Sequence, residues 1–169
     1  MTSAVKRIAS SVCLFLVSAS GSSWAAEPTL SVKTISESGA QQVILAAERE
    51  AEKLHAPCAI AVVDASGILV AFVKMDGVRA GSPDLAIGKA RTSALLQRPS
   101  EETEDNINHG RTALITAGLM TLRGGMPLKA GEEVVGAVGI AGLNKDNDVA
   151  IAQSAAAAFA SLPNPSPAH

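Results

Sequence analysis

Residues 134–141, with the sequence VVGAVGIA, form the clearest strand pattern in the chain. Successive side chains of a strand point to opposite faces of its sheet. This alternation puts Val134, Val138 and Ile140 on one face, with Gly136 among them. The other face is nearly flat and consists of Val135, Ala137, Gly139 and Ala141. Such a surface suits a planar ligand or a closely packed helix, and the Ala-rich segment that follows favours packing by the last helix.

The remaining strands come in pairs on either side of turns. Apolar runs at 59–63 and 68–74 flank the turn sequence DASG, and a short run at 126–129 precedes the strand at 134–141. Helical patterns cover about 35–54, 82–96 and 101–108, and a last helix begins after Asn144 and ends near Ala160. Hairpin pairs predict an antiparallel sheet and an α+β fold. Helices at both ends of the chain predict a sheet covered on both faces.

The first 25 residues have the pattern of a secretory signal peptide. Lys6 and Arg7 precede an apolar run at 8–17, and Ser23-Trp24-Ala25 is a small-x-small cleavage site. The run is shorter than the roughly 20 residues that span a bilayer, and the cleavage site argues against a retained anchor. We therefore expect a periplasmic or secreted protein with no membrane attachment after cleavage. Residues 26–33 are predicted to be a flexible lead, 34–160 a single domain and 161–169 a disordered tail.

Charge and cysteine content exclude several classes of function. The chain has 14 basic and 16 acidic residues, and loss of Lys6 and Arg7 with the leader leaves 12 against 16, a charge of −4. Without a basic excess, nucleic acid is not an expected partner. Loss of Cys13 leaves Cys58 alone, so no intramolecular disulfide can form. The sequence also lacks zinc-ligand spacing and the nucleophile elbow G-x-S-x-G.

Five segments carry a family resemblance through their order and spacing: 60–67 (IAVVDASG), 75–77 (MDG), 89–92 (KART), 123–128 (RGGMPL) and 134–142 (VVGAVGIAG). Together they resemble the GlcG/HbpS family of haem-binding proteins, which includes the C-terminal domain of PduO-type proteins. The resemblance extends from about Val43 to Phe159. It implies a profilin-like fold with a five-stranded antiparallel sheet covered by helices, assembly into homo-oligomers, and haem or a related tetrapyrrole as ligand.

His109 is the candidate metal ligand. It lies at a predicted helix end and precedes Gly110, which leaves room beside the ring. Imidazole is the commonest protein ligand of haem iron, although a histidine at a helix end also has a purely structural role as a cap. The sequence contains no C-x-x-C-H attachment site, so any haem is expected to be non-covalent.

Other candidate ligand-binding residues are Lys89, Arg91, Arg123, Gly124 and Gly125. A lysine at position 89 could pair with a ligand carboxylate or act as a base, or it could extend into solvent. Arg91 fits the solvated alternative better. Backbone N–H groups at Gly124-Gly125, helped by Arg123, could hold a propionate, whereas the structural alternative is a turn that requires positive φ.

These residues support one leading hypothesis and two alternatives. The leading hypothesis is an exported haem-binding protein that stores, buffers or senses its ligand. The first alternative is a small-molecule enzyme that uses Lys89, Arg91 or His109 as acid or base and Gly124-Gly125 as an anion hole. The second is an accessory protein without a ligand. We expect binding rather than catalysis.

Overall fold

The computed structural model describes residues 28–163, so the predicted signal peptide at 1–25 lies outside the described part, as do tail residues 164–169. The described residues from 32 onward belong to one compact unit. This unit contains the following elements: α1 (Glu37–Lys53), β1 (Ala59–Asp64), β2 (Leu69–Lys74), α2 (Ser82–Leu96), α3 (Ser100–Asn108), a 3-10 helix (Thr112–Ala117), β3 (Gly125–Ala130), β4 (Glu133–Ala141) and α4 (Lys145–Ala160).

The strands form one antiparallel sheet in the order β2-β1-β4-β3. Val62 lies opposite Val138 where β1 pairs with β4, and Met126 pairs with Val138 from the other side. The α+β architecture and the antiparallel sheet predicted from the hairpins are therefore confirmed. Within residues 28–163 the sheet has four strands rather than five, so the five-strand count and the profilin-like label stay predictions.

Helices cover both faces of the sheet, as expected, but their distribution differs from the prediction. α1 and α4 share one face, where Ile60, Val138 and Ile140 join their core. α2 packs on the flat face, where Ala61 and Ala137 contact it. The expectation that the last helix packs on the flat face was wrong. A Cβ built at Gly139 would lie 2.1 Å from the Ala86 carbonyl oxygen, so it is α2 that approaches the bare backbone there.

A β-bulge explains why Val135 does not lie on the flat face. Between β3 and β4 the register shifts, because Leu128 pairs with Gly136 while Lys129 pairs with Val134. Val135 is the extra residue, and a bulge of this kind resets the alternation of side chains. Its side chain is buried in the core beneath α1 and α4. Its carbonyl accepts a hydrogen bond from Ile35 N–H at 2.8 Å, which holds the segment that leads into α1.

Polar caps fix the starts of the helices on the α1/α4 face. Ser36 caps α1, and its hydroxyl accepts from Gly39 N–H at 3.1 Å. Asn144 caps α4 as predicted, because its side-chain oxygen accepts from Asp146 N–H at 2.8 Å. Such caps satisfy N–H groups that have no partner within the helix.

Candidate functional site

A buried ion pair joins α2 to the beginning of α4. Lys89 Nζ donates to Asp148 Oδ2 at 2.8 Å and to the Ile140 carbonyl oxygen at 2.7 Å. The two side chains are 5% and 6% exposed. Asp148 Oδ1 in turn accepts from Gly142 N–H at 2.7 Å, just beyond β4. The ammonium group predicted to face a ligand is thus held by acceptors of its own chain, and it is not a free base for the enzyme hypothesis.

The Gly124-Gly125 turn lies directly beneath Lys89 and is buried. A Cβ at Gly124 would be 3.1 Å from Lys89 Nζ, and one at Gly125 would be 2.3 Å from the Lys89 carbonyl oxygen. Gly124 has a φ of +109°, which favours glycine. The Gly125 N–H donates to Ser100 Oγ at 2.8 Å rather than facing an open anion site. The geometry therefore favours the structural role of this turn.

Arg123 contacts three carboxylates of α3. Its Nη1 donates to Glu101 at 2.7 Å, its Nη2 to Asp105 at 3.0 Å, and its Nε to Glu104. The hydrogen bond to Glu104 is the largest of the effects that raise the guanidinium pKa. All three donating nitrogens have partners within the chain, so Arg123 holds α3 rather than presenting a free guanidinium to a propionate.

Arg91 lies elsewhere. It is exposed on α2, and its Cγ would be 3.7 Å from a Cβ built at Gly67, in the turn between β1 and β2. Of the predicted residues, the structure thus brings together Lys89, Gly124 and Gly125. It places Arg91 at a different turn.

His109 follows the last residue of α3 and is exposed. Its Nδ1 lies 2.7 Å from the Asp105 carbonyl oxygen. A carbonyl can only accept, so Nδ1 carries a proton, and in the neutral form of the ring the lone pair then lies on Nε2. A histidine that ligates a metal usually donates its other N–H to such an oxygen, which fixes the ring and its tautomer. His109 also lines a depression of about 310 Å³ together with Glu102, Asp105 and Asn106.

An apolar surface lies next to α3. The 3-10 helix packs against α3, yet none of its residues is buried. Ile115 on this helix is 62% exposed. A short apolar segment that buries none of its own side chains provides contact area for an apolar ligand or partner.

Known proteins match this chain over the helices and strands described above. A family model described as "Haem degrading protein HbpS-like" matches residues 35–157, from just before α1 into α4. The chain belongs to this HbpS-like family. The resemblance stated from the sequence segments is therefore confirmed.

Three relatives illustrate the range of the HbpS-like family. Protein GlcG of Escherichia coli K12 is 39% identical over 107 residues, which are 63% of this chain and 80% of GlcG. The crystal structure of Klebsiella pneumoniae protein ORFY superposes with a TM-score of 0.77 at 27% identity and covers 81% of this chain and 98% of ORFY. A crystal structure of a PduOC–haem complex superposes with a TM-score of 0.67 at 28% identity and covers 74% of this chain and 94% of PduOC.

Cys58 is not a second ligand in this HbpS-like chain. It is fully buried. Burial, and to a smaller extent the negative charge of Asp148 nearby, raises the pKa of its thiol to about 12. At neutral pH the side chain is therefore a neutral thiol, whereas metal ligation and nucleophilic attack require the thiolate. Among residues 28–163 no group of three or more His, Cys, Asp or Glu side chains is arranged to hold a metal ion. None of the described helices is long and apolar enough to cross a membrane.

Five residues that organise these clusters were not predicted: Ser100, Asp148 and the three carboxylates of α3. The carboxylates could have been recognised in the sequence, because Glu101, Glu104 and Asp105 have the i, i+3 and i+4 spacing of one helix face. Asp148 lies in the first turn of α4. Its pairing with Lys89 joins residues 59 positions apart, and no local pattern shows such a contact.

Proposed function

We propose that this protein binds haem non-covalently, with His109 Nε2 as an axial ligand of the iron. The observation that carries the proposal is the hydrogen bond from His109 Nδ1–H to the Asp105 carbonyl, which in the neutral ring places the lone pair on Nε2 of this exposed residue. Membership of the HbpS-like family and the similarity to a PduOC–haem complex support it. The absence of a C-x-x-C-H sequence supports non-covalent binding.

The 3-10 helix that follows His109 in the chain is the proposed source of apolar contacts for haem. The exposed apolar side chain of Ile115 belongs to the 3-10 helix that packs on α3 and offers a surface for the porphyrin. Arg123 acts indirectly, because it bonds the Asp105 carboxylate while the Asp105 carbonyl holds the imidazole. Arg123 is therefore a positioning residue in this proposal. Bound haem would supply an iron centre able to change its redox state, tuned by the axial imidazole.

The proposed role is storage, buffering or sensing of haem outside the cytoplasm by a homo-oligomer. The family description names haem degradation. Binding is the step that storage, sensing and degradation share, and it is the step that His109 supports. Two groups that the alternative of an acid–base enzyme relied on have partners within the chain, because Lys89 is buried in its ion pair with Asp148 and the Gly125 N–H donates to Ser100 Oγ.

Replacement of His109 tests the axial ligand. The protein titrated with hemin should give a saturable shift of the Soret band near one haem per chain. His109→Ala should change the ferric spectrum strongly and weaken binding, because the iron loses its imidazole nitrogen. Arg123→Ala should weaken binding more modestly and leave the spectrum unchanged, since the ligand to the iron remains. Visible absorption spectroscopy during the titration measures both quantities.

The matched control is His55→Ala, which removes another exposed histidine, at the end of α1. We expect its hemin spectrum to equal that of the wild type. A spectrum of His109→Ala that also equals the wild type would exclude His109 as the ligand. Indifference of the wild type to hemin would exclude the proposed function itself.

Export is tested separately on the protein from its native host. The basic residues, the apolar run and the site at Ser23-Trp24-Ala25 predict cleavage after Ala25 or Ala26. Mass spectrometry of the protein should therefore find an N-terminus at Ala26 or Glu27 in the exported fraction. An intact Met1 in a cytosolic fraction would contradict the proposed location.

A further inference from the structure

A cavity separate from His109 lies beside the start of α1, and its lining includes none of the proposed haem contacts. Its volume is about 920 Å³, within the range of small-molecule sites. It opens between the start of α1, the β3–β4 hairpin and the end of α4. The apolar part of its lining includes Ile35, Val135, Phe159 and Leu162.

The β-bulge and the small residues of α1 create this space. Val135 turns toward the cavity side because the bulge removes it from the flat face. Gly39 lies in the first turn of α1, where a Cβ would meet Phe159 at 3.4 Å. The missing side chain leaves the ring of Phe159 accessible along one wall. Apolar side chains thus form part of the lining, beside the polar residues Thr34, Ser36, Ser38 and Gln42, and a hydrocarbon chain can contact them.

The rim of the cavity is positively charged. Lys33 and Lys129 both line it, and Lys33 forms an exposed ion pair with Glu133 at 3.1 Å. Lys129 is exposed and makes no ion pair with any residue between 28 and 163. The N-terminal turn of the 17-residue α1 adds the positive end of its dipole, and Glu37 in the same turn offsets part of that charge. An apolar floor below a cationic rim matches an amphiphile with a single anionic head.

The lining also argues against a metal-containing ligand. Among the described residues of the cavity wall there is no histidine, cysteine, methionine or tyrosine, which are the usual axial ligands of haem iron. We infer that this cavity is a second ligand site, separate from the proposed haem site, that binds a long-chain carboxylate with its head at Lys129 and its chain against Val135 and Phe159. This inference goes beyond the proposed function and does not depend on haem binding.

Calorimetric titration with dodecanoate, below its micelle concentration, tests the site. We expect saturable binding near one per chain, and binding of dodecanol, which lacks the charge, about tenfold weaker. Lys129→Glu should weaken the binding of dodecanoate about tenfold or more, because it reverses the charge that faces the head group. The binding of dodecanol should stay nearly unchanged. The matched control Lys74→Glu, at an exposed lysine of β2, should bind both ligands as the wild type does.

A second variant tests the apolar floor. Ala130 is half-buried at the end of β3 and lines the cavity. Ala130→Phe adds a ring there, so it should weaken the binding of dodecanoate and of dodecanol alike. Ala157→Phe, at an exposed position of α4 outside the cavity, should change neither. Binding that persists in Ala130→Phe, or no saturable binding in the wild type, would overturn the inference.

Hemin separates this inference from the proposed function. Hemin in excess should leave dodecanoate binding unchanged, and Lys129→Glu should leave the hemin spectrum unchanged. Displacement of dodecanoate by hemin would overturn the assignment of the cavity to a separate site. Failure of hemin to bind would instead contradict the His109 proposal and leave the dodecanoate result standing.

Discussion

Lys89→Met should destabilise the protein by about 3 to 5 kcal/mol, the range expected when one partner of a buried ion pair is removed. The wild-type lysine donates to both Asp148 and the Ile140 carbonyl, and both pair members are almost fully buried. Methionine fills similar volume but leaves the Asp148 carboxylate without a cation. Urea unfolding at neutral pH, compared at constant m-value, measures the loss of free energy of unfolding.

Two further variants show whether the loss comes from the unpaired charge. Lys89→Met combined with Asp148→Asn should be more stable than Lys89→Met alone, because the amide is neutral and its oxygen can still accept from Gly142 N–H. Lys74→Met, at an exposed lysine, should stay within about 0.5 kcal/mol of the wild type. If Lys89→Met unfolded at the same urea concentration as Lys74→Met, the ion pair would have no structural role.

Gly139→Ala should destabilise the fold by about 3 kcal/mol or more, at the upper end of overpacking effects. Its Cβ would lie 2.1 Å from the Ala86 carbonyl oxygen and 2.5 Å from Ala90 N. Both are backbone atoms of α2, so relief requires the helix to move away from the sheet and not merely a side chain to rotate. Thermal and urea unfolding of the purified variant measure the effect.

Gly81→Ala is the matched control for this substitution. Gly81 precedes α2 with a φ of −82°, and nothing lies within 4 Å of a Cβ built there. The free energy of unfolding of Gly81→Ala should therefore stay within about 0.5 kcal/mol of that of the wild type. A Gly139→Ala protein as stable as Gly81→Ala would contradict the close contact between α2 and β4.

The candidate site was predicted in part. The sequence identified His109 at a helix end and its neighbour Gly110, and the structure adds the hydrogen bond that selects the tautomer. For Lys89, Arg123 and the glycine pair, the residue types suggested charge and anion binding. The structure shows internal partners instead, because residue type alone does not show whether a charge meets a ligand or another part of the same chain. The large cavity had no sequence signature, since its walls come from three separate elements.

The sequence by itself determined the four α-helices and the two pairs of strands, but not the 3-10 helix. Alternating apolar residues, turn sequences and caps are local properties, so the two hairpins, the helices and the antiparallel α+β class could be predicted from short segments. Only the tertiary structure decided which helix covers which face, the bulge at Val135, and the pairing of Lys89 with Asp148. These features depend on contacts between residues far apart in the chain, where a register shift of one residue or a missing Cβ changes the outcome.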